Sequence, residues 1–432
     1  LRKKATFTVP DVDAFKEALL GWAQHFTEAV WLDSNQHEDK YGSFEAILAV
    51  DPLTSIRTDT HNAFEDLMAY QKTTRDWIFG YLSYDLKNDV ETLSSDNGDG
   101  LYFPELYFFQ PKKLIRITGN TVDFLYLNGV ADEMESDFEQ LSEPWPTSRE
   151  SDKDPEAAKI KLRIFKDEYF KRVSQLLDHI HRGDVYEANF CQEFYAEAIQ
   201  INPLATYKKL NAISRPPFAA FLRLDDKYLL SASPERYLKK IGNTLISQPI
   251  KGTARRALDR KEDEQLRLAL ETDAKERAEN IMIVDLVRND LSKNASKGSV
   301  QVTELCKVYS FPQVHQMIST ITAEVPKTVN PVQLIRESFP MGSMTGAPKV
   351  SAMKIIETLE ASKRGLYSGA VGYFTPEGNF DFNVVIRSIL YNAVQKYVSF
   401  SVGSAITARA APDKEYEECL IKAKAMREVL ES

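Results

Sequence analysis

Residues 228–252 read YLLSASPERYLKKIGNTLISQPIKG, and the way this stretch folds decides the architecture. Two strand-like runs flank Ile241, Gly242, Asn243 and Thr244, the composition of a tight hairpin turn. A second stretch, GAVGYFTPEGNFDFNVVIRSILY at 369–391, repeats the pattern around a turn with Pro376 and Gly378. Hairpins this frequent predict antiparallel sheet flanked by helices. They argue against a doubly wound parallel fold, in which each strand is followed by a crossover helix.

Outward from these hairpins, WIFGYLSYDL (77–86) and LYFPELYFFQ (101–110) are short aromatic runs that predict strands, so the N-terminal part is sheet-rich. Phe165, Tyr169, Val173, Leu176, Leu177 and Ile180 recur at helical spacing until Gly183, and VYEANFCQEFYAE (185–197) then reads as a strand. Between these parts lies LSEPWPTSRESDKDPEAAKI (141–160), polar and proline-bearing, after the acidic DEMESDFEQ. It divides the chain into an N-terminal region, 1–150, and a second region, 160–432.

The 432 residues are 43% apolar and 27% charged, enough material for a sizeable core. A net charge of −9 offers no footprint for a nucleic-acid backbone or an anionic membrane, so neither is an expected partner. Cys191, Cys306 and Cys419 are far apart with no CxxC pair, which fits a reducing compartment and predicts neither zinc nor a redox motif. No stretch reaches the ~18 apolar residues of a membrane span, and the first residues lack a signal-peptide pattern. The expected location is the cytoplasm.

Several places invite chemistry. Lys251 sits between Pro249–Ile250 and Gly252–Thr253, after an apolar strand and before a turn; it is either a solvated charge or, if desolvated, a nucleophile. Arg387 lies inside the apolar run VVIRSIL, where a guanidinium needs an anion, an ion pair or an edge position. FPMGSMTGAPKVSAMKIIETLE (339–360) is a glycine-rich loop entering an amphipathic helix, with Pro348 suited to the first turn. It does not match GxxxxGK[ST], which disfavours nucleotide phosphate. Glu276 with Glu279, and Glu415 with Glu418, stand at i, i+3, so on helices each pair faces either a hard cation such as Mg²⁺ or plain solvent.

Taken in order, SASPERYL (231–238), PIKGT (249–253), RAENIMIVDLVRNDLS (277–292), the glycine-rich loop, SGAVGY with VVIRSI, and EYEECLIKAKAM (415–426) resemble the blocks of the chorismate-utilising enzymes. The likeness is strong over residues 165–430 and loose over the first 150. It implies an α+β fold of two large stacked, mainly antiparallel sheets with helices outside, a four-layer α/β/β/α sandwich built from both halves of the chain. The lysine of PIKGT is similar to that of the branch that aminates chorismate at C4 to 4-amino-4-deoxychorismate; the anthranilate-forming branch, the alternative, usually has PIAGT. The resemblance implies Lys251 as nucleophile at C2 and Glu235 as general acid. It implies Glu279 and Glu418 as Mg²⁺ ligands, with Glu276 and Glu415 in support. Tyr367, Arg387 and Lys422 match binders of substrate carboxylates, and Thr253, Thr345, Gly346, Gly403, Ser404 and Ala405 match further substrate contacts.

Three places depart from the family pattern. Gln316 stands where a histidine is frequent, with His315 one place early, and a one-residue offset on a strand reverses the side chain. VGSAITARA (402–410) replaces a more glycine-rich run. Glu187 stands where isochorismate-forming relatives carry a lysine, and is read as a structural carboxylate rather than a base. None of the three cysteines is flanked by glycines at a strand-to-helix turn, so ammonia is expected from a separate glutaminase subunit.

Overall fold

The segment EAVWLD, residues 28–33, builds two cores at once. Val30 points into one apolar cluster while Ala29 and Trp31 point into another, the period-two alternation of a strand buried on both faces. The computed structural model describes residues 1–143, 157–311 and 314–432. Most of the boundary stretch expected at 141–160 therefore lies outside the described residues.

The N-terminal strands are β1 (Arg2–Thr8), β2 (Glu28–Asp33), β3 (Ala46–Thr58), β4 (Ile78–Leu82), β5 (Leu106–Thr118) and β6 (Thr121–Leu127). Then follow β7 (Lys161–Leu162), β8 (Glu187–Ala196), β9 (Phe218–Leu224), β10 (Lys227–Ser233), β11 (Arg236–Ile241), β12 (Thr244–Gln248) and β13 (Ile250–Arg255). The last are β14 (Gln301–Ser310), β15 (Val314–Glu324), β16 (Gly346–Ala347), β17 (Ala370–Phe374), β18 (Phe380–Val384), β19 (Ser388–Asn392) and β20 (Tyr397–Thr407).

One sheet runs β1–β6–β5–β3–β2–β9–β10–β19–β20–β8. The other runs β5–β4–β17–β18–β11–β12–β15, with β13 beside β12 on one edge of β15 and β14 on its other edge. All these pairs are antiparallel, as the hairpins predict. The long strands β3 and β5 belong to both sheets, and their register shifts between Pro52 and Thr54 as they pass from one to the other. Hydrogen bonding is thus continuous through 20 strands among the described residues.

The two sheets share a core. Val30, Ile47, Leu222 and Leu229 from one cluster with Tyr81, Phe108, Val371 and Phe382 from the other. The opposite face of the first sheet packs on α1 (Val12–Ala23), α4 (Met134–Ser142), α5 (Lys166–Arg182), α6 (Pro203–Ser214), α10 (Lys349–Leu359) and α11 (Pro412–Glu431). On the second sheet lie α2 (Ala63–Thr74), α8 (Ala274–Ser292) and α9 (Pro331–Ser338), with the short α3 (Lys87–Val90) and α7 (Arg260–Thr272) completing the helices. Helix α5 spans the periodic residues from Tyr169 to Ile180, with Phe165 as its exposed N-cap, and stops at Gly183, whose φ of 87° ends it in the left-handed conformation. No described helix is long and apolar enough to cross a membrane.

Several local expectations differ from the structure. The run 101–110 is extended in β5 only from Leu106; Pro104, which has no N–H for a ladder, precedes it. Pro348 is the residue before α10, not a member of its first turn. VVIRSIL is not one strand: β18 ends at Val384, the chain crosses between the sheets, and β19 begins at Ser388, with Arg387 in the crossover at φ 50°.

Candidate active site

Lys251 is placed by a defect in a strand. Ile250 pairs with Ile318 and Thr253 with Gln316, three steps on β13 against two on β15, so a bulge falls at Lys251–Gly252. The sequence reading put a turn here; the strand instead continues through the bulge to Arg255. Gly252 is required twice over. Its φ is +93°, and a Cβ would sit 3.2 Å from Glu276 Oε2 and from Leu270 Cδ1.

The bulge aims the Lys251 side chain, 13% exposed, at β8, where its Nζ donates to Glu187 Oε1 at 3.2 Å. Burial favours the neutral amine, but the charges of Glu187, Glu279 and Glu235 outweigh it and hold the ammonium above the usual lysine range. Glu187 is 1% exposed and its other oxygen has no hydrogen-bond partner. Glu235, in the link from β10 to β11, is also buried. Desolvation pushes its carboxyl up to about 7, while Ser343 and the charges of Lys251 and Arg387 work the other way. Arg387 faces Glu235 from the crossover, lowered by burial, and among the described residues its guanidinium makes no hydrogen bond or ion pair.

The two acidic pairs lie on helices α8 and α11, the condition under which their i, i+3 spacing gives each pair one face. Asp273 caps α8 by accepting from the backbone N–H groups of Lys275 and Glu276, and Pro412 opens α11. Glu279 and Glu415 approach one cation, with Lys275 Nζ 3.7 Å from Glu279 Oε1 and 3.8 Å from Glu415 Oε1; Glu276 and Glu418 lie within reach of the same charge. Burial pushes Glu279 up to about 7 and raises Glu276 and Glu415 as well. Glu418 is resisted by burial too, but Lys422, 2.6 Å away, brings it below the usual carboxylate range. No ready-made cluster of three metal-ligating His, Cys, Asp or Glu side chains forms among the described residues. The donor set nonetheless suits a hard cation: it is all oxygen, and Glu279 Oε1 and Glu415 Oε2 are buried without hydrogen-bond partners.

Most of the other expected residues gather around β8. Asn189 is buried there: its side-chain amide donates to Ser343 O at 3.0 Å, its backbone N–H to Thr345 O at 2.7 Å, and its Oδ1 accepts from the Cys191 thiol at 3.5 Å. Gly346 pairs with Ala188, and a Cβ there would lie 2.1 Å from Glu187 O, so only glycine lets the loop close on the strand. Gly403, Ser404 and Ala405 pair with Cys191, Phe190 and Asn189, and Lys422 Nζ donates to Gly403 O at 2.9 Å. Ser404 Oγ is buried and unpartnered. Tyr367 is buried, its hydroxyl against the Cys191 thiol at 3.6 Å. Thr253 is exposed beside Gln316. His315 faces the other way, its ring bridging Asp263 at 3.1 Å and Ser310 at 2.8 Å, as the strand offset predicts.

Three residues escaped sequence reasoning in these roles. Glu187 is the partner of Lys251 and not only a structural carboxylate, and Lys275 stands among the acidic pairs. Asn280 ties α8 to the bulge through Lys251 O at 3.4 Å and Met317 O at 3.3 Å, and accepts from Ser319 Oγ at 2.5 Å. Its place directly after Glu279, at the buried end of an acidic pair, was the available signal.

Comparison with known proteins shows the family of the chain. The aminodeoxychorismate synthase component 1 of Escherichia coli strain K12 is 40% identical over 266 residues, 62% of this chain and 58% of that protein. The probable chloroplastic aminodeoxychorismate synthase of rice is 42% identical over 62% of the chain, which spans only 30% of it. The chain therefore matches less than two thirds of the length of these relatives. In fold it is similar to the anthranilate synthase component I of Streptococcus pneumoniae, with a TM-score of 0.79 and 25% identity over 91% of this chain and 94% of that one. The model of the chorismate binding enzyme family matches residues 27–428, a span that includes every site residue named above; the chain belongs to that family.

Proposed function

We propose that the chain is a Mg²⁺-dependent cytoplasmic enzyme that aminates chorismate at C4 to 4-amino-4-deoxychorismate, the precursor of para-aminobenzoate, with ammonia from a separate glutaminase subunit. The observation that carries this reading is Lys251 itself. It is mostly buried at the bulge, bonded to Glu187 and within the field of Glu235, surroundings that suit an amine held for attack on C2 of the ring. The names of the relatives in Escherichia coli and rice support the same reaction.

Chorismate carries two carboxylates, and the unpaired Arg387 guanidinium with Lys422 suits their charge. A divalent cation held by Glu279 and Glu418, with Glu276 and Glu415 in support, would supply positive charge to the ring carboxylate. For attack, Lys251 must lose the proton its neighbours hold on it, and Glu187 Oε1 is the acceptor within reach. Nζ then bonds to C2, both ring double bonds shift, and the C4 hydroxyl leaves as water with the proton from Glu235. Burial keeps that carboxyl protonated to about pH 7. Ammonia next bonds to C4, the double bonds return, and Lys251 leaves C2 carrying the proton that the new amine gives up. Nitrogen reaches C4 because lysine has occupied C2.

The three thiols are buried, and burial raises each of them, Cys191 to about 12, so none is an activated thiolate for glutamine hydrolysis. Mass spectrometry and fluorescence of the products from chorismate, Mg²⁺ and ammonium salts test the reading. The expected product is 4-amino-4-deoxychorismate; fluorescent anthranilate as the main product would overturn it.

A further inference from the structure

Lys275 is the second residue of α8, where a cation opposes the positive end of the helix dipole. It is offset by carboxylates from two helices. Its Nζ stands 3.7 Å from Glu279 Oε1 and 3.8 Å from Glu415 Oε1, ion-pair distances without a hydrogen bond, and Glu276 and Glu418 add their charge. The contact is loose and its side chain is 51% exposed, free to swing into water. The carboxylates it faces are not free. Glu415 is 2% exposed and Glu279 8%, and each keeps a buried oxygen with no hydrogen-bond partner. Glu418 already has a cation of its own in Lys422 at 2.6 Å.

We propose that Lys275 is the resident counterion of this four-carboxylate cluster, and that a divalent cation enters by displacing its ammonium. This rests on the assignment of the cluster as the Mg²⁺ site. Lys275 then has two effects. It keeps the carboxylates from repelling one another when no metal is present, and it weakens the intrinsic affinity for the metal, because each binding event must break its ion pairs.

The test is isothermal titration of Mg²⁺ into the metal-stripped full chain, without chorismate, for the wild type, Lys275→Met, Lys275→Arg and Glu279→Gln. Lys275→Met keeps length and removes charge; it should bind Mg²⁺ more tightly by roughly 3- to 10-fold, the range expected for losing two half-exposed ion pairs. Lys275→Arg keeps the charge and should stay near the wild type. The melting temperature in chelator should fall for Lys275→Met, and its rise on adding Mg²⁺ should exceed that of the wild type. If Glu279→Gln loses Mg²⁺ while Lys275→Met binds no more tightly than the wild type, the counterion role is wrong and the metal site stands. If Glu279→Gln and Lys275→Met both bind as the wild type does, the cluster is not the metal site and both readings fail.

Discussion

Glu235 is an ordinary glutamate in the unfolded chain and an unusual one in the fold. Its carboxyl titrates near 4.5 when solvated and near 7 in the buried link between β10 and β11. Between those values the folded chain holds a proton that the unfolded chain releases. Its contribution to stability is therefore complete below about pH 4.5 and lost as pH rises through about 7, on the order of 3 kcal/mol. Glu235→Gln, which cannot ionise, should flatten the fall in melting temperature between pH 5 and 8; an unchanged slope would show that Glu235 is not the desolvated acid. That Glu235, Lys251, Glu279 and Arg387 come together was legible because they sit in recognisable blocks. The partnership of Lys251 with Glu187 was not, since a contact between residues 64 apart leaves no local pattern.

Helix α8 carries two of the acidic residues and is locked to the bulge by one amide. Asn280 is 1% exposed, donates to the carbonyls of Lys251 and Met317, and accepts from Ser319. Asn280→Ala strands these groups without water, which costs about 1–3 kcal/mol. The denaturant midpoint should drop accordingly, and with the bulge loosened kcat should fall more than KM rises; a stability loss with unchanged kcat would separate Asn280 from the placement of Lys251. Helices α5 and α10 and both hairpins were readable from spacing and turn residues. The break between β18 and β19 was not. Both sheets bury that chain, so VVIRSIL is apolar on either side of the crossover and carries no sign of a change of sheet.

The two halves of the chain are stitched by long-range pairs, β2 to β9 and β4 to β17, and β3 and β5 carry the ladder from one sheet to the other. Antiparallel sheet was legible from local hairpins; these pairings were not, because strands buried on both faces lose the alternation that would fix partner and register. All three thiols of the chain are buried and none is activated. The chain should therefore use ammonium salts, faster as rising pH frees ammonia, and do nothing with glutamine until a glutaminase subunit is added. Glutamine-dependent turnover by the chain alone, followed by mass spectrometry, would contradict the partner. The central claim is the covalent role of Lys251, and its most direct measurement is intact-mass spectrometry with peptide mapping of the chain held with chorismate and Mg²⁺ while ammonia is withheld. The expected result is a chorismate-derived adduct on Lys251 that is missing in Lys251→Ala; production of 4-amino-4-deoxychorismate on restoring ammonia, with no adduct ever formed on Lys251, would contradict it.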